Sequence, residues 1–414
     1  MANTYTVEQA VDAIGFGIFQ VKLSLLTGLA WMADAMEMMI LSILSPALHC
    51  DWRLTEFERA TITTVVFCGM MASSGFWGYI CDKYGRKAGD AVCRILRQDA
   101  RAKVCRRMSE ALARGCCWLC CVMPTMVGGW LLIFSAVLPL AISLTCVWLP
   151  ESARYHIASG HPEKAVAVLE RVARDNNRPM PLGRIVASTQ TGKRGRVSDL
   201  FIPETRYVTI LLWFIWLATA FTYYGLVLMT TELFEASDGC HGGDVSPPLA
   251  EASCYLTCRA LSKKDYTDLL WTTLAEGPGL LVTFFIIDRI GRKKTMAVEF
   301  ALFSLFTFLL FMCSTRGMLT FFIFVARAFV SGAFQAIYVY TPEVYPTTFR
   351  AVGLGTCSGF ARVGAIITPF VAQVLLRKSV NATVAIYGTF GLFAAIGAML
   401  LPIETQGRPM KDHH

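Results

Sequence analysis

Charge is scarce in this sequence. Asp, Glu, Lys and Arg make up 16% of its 414 residues, where a soluble domain carries about 25%. The deficit argues against an ordinary soluble globular chain. Long uncharged runs, 55% hydrophobic content and a mean hydropathy of +0.50 point instead to a polytopic membrane protein. Catalytic motifs are missing as well. There is no nucleotide-binding loop, zinc-peptidase helix or nucleophile elbow, and no strand precedes Gly15-Phe16-Gly17 or Gly353-Leu354-Gly355. An enzyme is therefore not expected, and no cofactor is implied. Cys116, Cys117, Cys120 and Cys121 lack histidine partners and ligand spacing, so no metal site is expected there. The first twenty residues have neither a basic n-region nor a small-residue cleavage site, so the first spanning helix is expected to direct insertion.

The net charge of +8 does not point to nucleic acid. Its basic residues sit between apolar runs, where cytoplasmic loops of a membrane protein need them. The expected surroundings are a lipid bilayer, and most of the fifteen cysteines fall in or beside apolar runs as reduced core residues.

About 20 apolar residues cross a bilayer. Spans are expected at about 23–49 and 60–81, with one good span at about 130–149. Six more are expected at about 207–231, 269–287, 295–315, 318–342, 351–376 and 379–403. Tyr5 to Ala13 reads as a short amphipathic helix, and Glu163 to Arg174 has helical apolar spacing through Ala165, Val168, Leu169 and Val172. The domain boundaries follow: an incomplete N-terminal membrane half 1–149, a cytoplasmic loop 150–206, a six-helix half 207–404 and a cytoplasmic tail 405–414. Both termini are expected in the cytoplasm. The loop 232–268 is expected outside it, so Cys240, Cys254 and Cys258 are disulfide candidates with no pairing defined. Asn381-Ala382-Thr383 is a glycosylation sequon on the same expected side, crowded against a span.

Charges within spans are the next signal, because an unpaired one costs several kcal/mol. Asp34 and Glu37 lie three apart on one helix face. They suit proton or cation binding, or else form a packed, neutral pair. Arg327 and Arg362 are candidate partners for them, or for an anionic substrate, with helix packing favoured for Arg362. Gln335 and Tyr338 follow Arg327 on the same expected helix, and Glu343 stands just past its expected end. Glu276 precedes Gly277-Pro278-Gly279, read as a kink or as a broken helix at a midplane site. Trp213, Trp216, Phe221, Tyr223 and Tyr224 share one span. Trp213, Tyr223 and Tyr224 are the candidates to line a substrate cavity, with ordinary packing as the simpler reading.

A charged segment with glycine closes two apolar runs: Gly78-Tyr79-Ile80-Cys81-Asp82-Lys83-Tyr84-Gly85-Arg86-Lys87, and Asp288-Arg289-Ile290-Gly291-Arg292-Lys293-Lys294. In the second copy Phe284 holds the leading glycine's place. The acid of such a segment can cap a neighbouring helix N-terminus. This pair resembles the signature loops of the major facilitator superfamily, a fold of two pseudo-symmetric six-helix halves. Pro150-Glu151-Ser152-Ala153-Arg154, Pro342-Glu343-Val344-Tyr345-Pro346 with Arg350, and Pro402-Ile403-Glu404-Thr405-Gln406-Gly407 are similar to the family's sugar-porter motifs. Within the family, Trp31 to Met39, Tyr223 to Leu228 and Tyr338 to Glu343 resemble a branch of the synaptic and secretory vesicle membrane.

The resemblance implies an all-α polytopic fold and a monomeric secondary carrier. Such a carrier moves a small organic solute, or an organic ion, by alternating access. It implies gating by Gly78, Asp82, Gly85, Arg86, Lys87, Asp288, Gly291, Arg292, Glu151, Arg154 and Arg350, and transport or coupling by Asp34, Glu37, Arg327, Gln335, Tyr338 and Glu343. The first half departs from that pattern. Residues 88–129 stand where the third, fourth and most of the fifth helix belong, yet they are basic and cysteine-rich. The alternative expectation is a truncated isoform that does not transport and acts as a membrane interaction protein.

Overall fold

The computed structural model describes residues 4–26, 28–29, 39, 55–84, 150, 153–158, 160–181, 183–185, 197–235, 263–312, 315–346 and 350–407. Their helices are, in chain order, α1 (Val7–Ile14), α2 (Glu56–Tyr84), α3 (Ala153–Ala158), α4 (Pro162–Asp175), α5 (Arg206–Glu235), α6 (Lys263–Leu274), α7 (Glu276–Ile290), α8 (Arg292–Leu309), α9 (Arg316–Val344), α10 (Arg350–Pro369) and α11 (Val380–Leu400). The described strand content is one parallel pair of two-residue strands, β1 (Thr4–Tyr5) and β2 (Arg184–Ile185). Two compact units form. One takes the described residues up to Ile40 and from Ala72 to Thr191, and the other those from Leu41 to Met71 and from Gly192 onward.

In the first unit, Thr6 and Gln9 close α1 with a capping box: each backbone N–H donates to the other's side chain. Pro162 starts α4 where its missing N–H costs nothing. The expected apolar stripe of α4 buries Ala165 and Leu169, joined by Ala173, and it packs with Tyr5, Ala10 and Ile14. Asn176 holds the segment after α1, accepting from Phe19 N–H at 2.9 Å and donating to Gln20 Oε1 at 2.8 Å.

The second unit is a helical bundle. Among the described residues, five helical stretches are long and apolar enough to cross a membrane: Arg206–Phe234, Lys264–Ile290, Arg316–Val344, Arg350–Lys378 and Val380–Leu400. They match five of the six expected spans. The sixth appears as α8, whose first turns carry Arg292, Lys293, Lys294 and Glu299. Helix α2 covers the expected span 60–81 and overruns it at both ends.

Composition explains the interruptions. The Lys264–Ile290 span breaks at Ala275, just before Gly277-Pro278-Gly279. Pro369 has no N–H for the ladder, and a π-helical segment, Phe370–Leu375, follows it before the helix resumes to Lys378. Two apolar clusters fill the bundle. One centres on Trp216, Phe300, Ile337 and Tyr340, the other on Phe221, Phe303, Phe322 and Tyr387.

Candidate functional site

Helix α9 is the spine of the site. Its 29 residues run about 43 Å at 1.5 Å per residue. Arg327 lies eleven residues in, about 17 Å from the start, and is 1% exposed. Burial this deep demands a partner, and α7 supplies it across the helix break. Arg327 Nε and Nη2 each lie 3.0 Å from Glu276 Oε1. Tyr223 of α5 donates its hydroxyl to the same oxygen at 3.1 Å. The expected kink at Glu276 is thus also the place where three helices exchange charge-assisted hydrogen bonds. Asp34 and Glu37, the other candidate partners of Arg327, lie outside the described residues.

Aromatic rings continue from this ion pair. Tyr223 meets Tyr224 at 5.3 Å and Phe334 at 5.5 Å between ring centroids. Phe334 meets Tyr338 at 5.4 Å, Tyr338 meets Trp216 at 4.6 Å, and Tyr224 meets Phe67 of α2 at 5.1 Å. Trp216 is buried and donates to Thr341 Oγ1 at 3.0 Å. Tyr223, Tyr224, Phe334, Gln335 and Tyr338 are half-buried. Trp213 belongs elsewhere: it stacks on Phe360 at 4.4 Å and donates to Thr356, which is packing between α5 and α10. Arg362 places Nη1 3.5 Å from the Met70 sulfur.

One end of the bundle carries the signature residues. Gly291, at φ +94°, makes the turn from α7 to α8. Arg292 pairs with Asp288 at 3.0 Å and with Glu343 at 3.2 Å. The structure thus places Glu343 with the signature residues, not beside Arg327, because it sits in the last turn of α9. The cap of α8 is also not the signature acid. Glu404 accepts from Arg292 N–H at 2.9 Å and Lys293 N–H at 3.5 Å. Asp288 is exposed and only pairs one turn away. Gln406 ties the same corner by donating to the Asp288 carbonyl at 2.6 Å. Tyr340 donates to the Ile403 carbonyl at 2.6 Å, and Arg350 to the Tyr345 carbonyl at 3.1 Å.

The opposite end holds charges that sequence reading missed. Arg59 of α2 pairs with Glu232 of α5, and their side chains are 1% and 3% exposed. Arg377 joins them, 3.3 Å from Glu232 and 3.4 Å from Glu56. Arg316 starts α9 and pairs with Asp265 and, at 2.7 Å, Asp268. In sequence these charges look like the solvated edges of spans, so no local signal marks them. Exposed Glu58 nearby accepts from the Thr55 N–H and hydroxyl, and these bonds lower its pKa.

Several expectations fall on residues not described: Gly85, Arg86, Lys87, Glu151, Cys240, Cys254 and Cys258. Of Gly78, Asp82 and Arg154 only the helical backbone is described. Asn381 is exposed in the first turn of α11, while Thr383 is buried and donates to the Ser379 carbonyl. Among the described residues no His, Cys, Asp and Glu cluster is suited to a metal ion.

Comparison with known proteins supplies the remaining finding. Residues 269–413 match the family described as Major Facilitator Superfamily, and residues 125–238 match Sugar (and other) transporter. The chain is 52% identical over 456 positions to the synaptic vesicle 2-related protein of Pongo abelii, spanning 99% of this chain and 83% of that protein. The proteins of that name from Rattus norvegicus and Xenopus laevis are 51% and 50% identical over the same spans. A match of 456 positions to a chain of 414 leaves at least 42 positions of the relative without a counterpart. That is about the length of two membrane-spanning helices.

Proposed function

The chain belongs to the major facilitator superfamily as a multi-pass membrane protein, and from that premise we propose that it is a secondary transporter of a small organic solute or ion. The observation that carries this reading is the Arg327–Glu276–Tyr223 cluster. A buried ion pair deep in apolar helices costs desolvation that packing does not require. It sits at a helix break, a feature that marks substrate and ion sites in many secondary transporters. The half-buried rings of Tyr223, Tyr224, Phe334 and Tyr338 offer π-faces beside it, suited to an organic molecule with a ring or a positive charge. Asp34 and Glu37 are assigned to coupling, and Gln335 to shaping the site.

Alternating access is the mechanism. The signature residues Gly78, Asp82, Gly85, Arg86 and Lys87 and the Asp288–Arg292–Glu343 cluster serve in gating. Glu151, Arg154 and Arg350 belong to the same gating set. The carrier acts as a monomer with both termini in the cytoplasm. The names of its relatives favour a synaptic or secretory vesicle membrane.

The test is transport current in proteoliposomes on a solid-supported membrane, scanned over a panel of organic cations and anions. At least one compound is expected to give a current. Glu276→Gln is expected to lower it by at least about tenfold, because breaking a buried pair costs about 3–5 kcal/mol. A silent panel, or full current in Glu276→Gln, would count against the reading. Unchanged current and pH dependence in Asp34→Asn would remove Asp34 from coupling.

A second reading has its own observation. At least 42 positions of the relatives are missing here, which favours a membrane interaction protein that does not transport. Labelling of single cysteines placed near positions 100 and 190 separates the two. Labelling from the same side in a monodisperse protein favours the carrier, and opposite sides favour the second reading.

A further inference from the structure

Glu299 lies seven residues into α8, about 10 Å along the helix from Arg292. It is 3% exposed. Its surroundings are built from three helices. Thr283 of α7 touches Glu299 Oε1 with its hydroxyl oxygen. Gly332 of α9 faces both groups: a Cβ there would overlap Thr283 Oγ1 and lie 2.7 Å from Glu299 Oε1. The absence of a side chain at 332 is what gives the carboxyl its room.

The hydrogen count at Thr283 bears on the carboxyl's state. Thr283 Oγ1 has one hydrogen and two oxygen neighbours, the Gly279 carbonyl at 3.0 Å and Glu299 Oε1. If Thr283 donates to Gly279, as buried helical threonines do, its contact with Glu299 needs a second hydrogen. A protonated carboxyl supplies it, as Glu299 Oε1–H donating to Thr283 Oγ1. The other oxygen, Oε2, is buried with no hydrogen-bond partner among the described residues. A carboxylate left so bare would bear the full cost of an unpaired buried charge, whereas a neutral acid does not.

Among the described residues, no charge on the helices around Glu299 offsets that cost. On α7 the nearest charged residue toward the bundle centre is Glu276, about two turns from Thr283, and it is paired with Arg327. On α9 that same Arg327 lies about a turn and a half from Gly332. On α8 itself, Arg292 pairs with Asp288 and Glu343, with Lys293 and Lys294 beside it at the bundle end. Helix α11 has no charged residue from Val380 to Leu400, and its Tyr387 donates to the Thr368 carbonyl at 3.3 Å.

We propose that Glu299 is a proton-binding site of the second half, held as a neutral acid where α7, α8 and α9 meet. The same α7 and α9 carry Glu276 and Arg327. The Glu299 O–H bond breaks, and the proton passes to water, only when these helices part and admit water. Proton release is thereby tied to movement at the ion pair. This coupling rests on the transporter reading, while the protonation state does not.

Infrared spectroscopy of the full chain in nanodiscs at neutral pH tests the protonation state without a substrate. The difference between wild type and Glu299→Gln is expected to contain the C=O stretch of one protonated carboxylic acid. Carboxylate stretches in its place would overturn the proposal. Thr283→Val provides a check that does not need the glutamine variant: it is expected to shift that C=O band to higher frequency. A shift in carboxylate stretches instead would overturn the assignment. For the coupling, transport current in Glu299→Gln is expected to persist and to lose part of its pH dependence. An unchanged pH profile beside an intact C=O band would overturn the coupling. If no compound is transported, the infrared result still decides the site.

Discussion

The two ends of the second unit hold their charges in different ways. At one end Arg292 meets Asp288, Glu343 and Glu404 around the Gly291 turn, and the Asp288 side chain is 71% exposed. At the other end Arg59 and Glu232 lie almost completely out of solvent, with Arg377 bridging to Glu56. The first cluster opens to water at Asp288, so water can replace that partner. The second has the Arg59–Glu232 pair at its centre, where no water can replace a lost charge. The difference predicts a gradient of mutational cost that chemistry alone, both being Arg–carboxylate pairs, would not.

Glu232→Ala should show the largest effect. It removes the carboxylate buried between Arg59 and Arg377, at a cost of about 3–5 kcal/mol. Thermal unfolding of the purified chain in detergent reads this as a large drop in Tm. Replacing Arg59 and Glu232 together by Met and Leu should recover much of the loss. An effect of Glu232→Ala no greater than that of Glu343→Ala would erase the contrast between the ends.

Gly291→Val comes next. A β-branched residue at φ +94° is strained, and its Cβ would lie 2.8 Å from the Glu404 carboxyl carbon. The expected cost is about 1–3 kcal/mol, read in the same unfolding assay. The smallest effects belong to Glu404 and Asp288 at the first end. Glu404→Gln removes an anion from the α8 N-terminus and should cost about 0.3–1 kcal/mol. Asp288→Asn touches an exposed pair and should leave Tm almost unchanged. If Asp288→Asn proved the costlier of the two, the signature acid and not Glu404 would be the working cap.

Much of the second unit was legible in the sequence. Apolar runs of about twenty residues marked its helices, and only α8, with charge in its first turns, is less apolar than expected. The signature copy at 288–294 pointed to the turn at Gly291. Arg327 and Glu276 were both visible as charges within spans, yet their pairing was not, because they lie 51 residues apart on separate helices. The family resemblance sets Glu343 beside Arg327 in one transport group. Sixteen positions of helical rise carry it to the other cluster. Glu299 went unread although it stood within an expected span.

Hydrophobic length and turn chemistry are local, so sequence alone determined the helices, the break between α6 and α7 and the family signature. Each reflects a cost borne by neighbouring residues: backbone amides to satisfy in lipid, a positive φ to accommodate, a proline without N–H. Which charges meet was decided only by the tertiary structure. Arg59 with Glu232, Arg327 with Glu276 and Glu299 with Thr283 are pairs from separate helices. Their energies depend on burial and distance, and packing sets both.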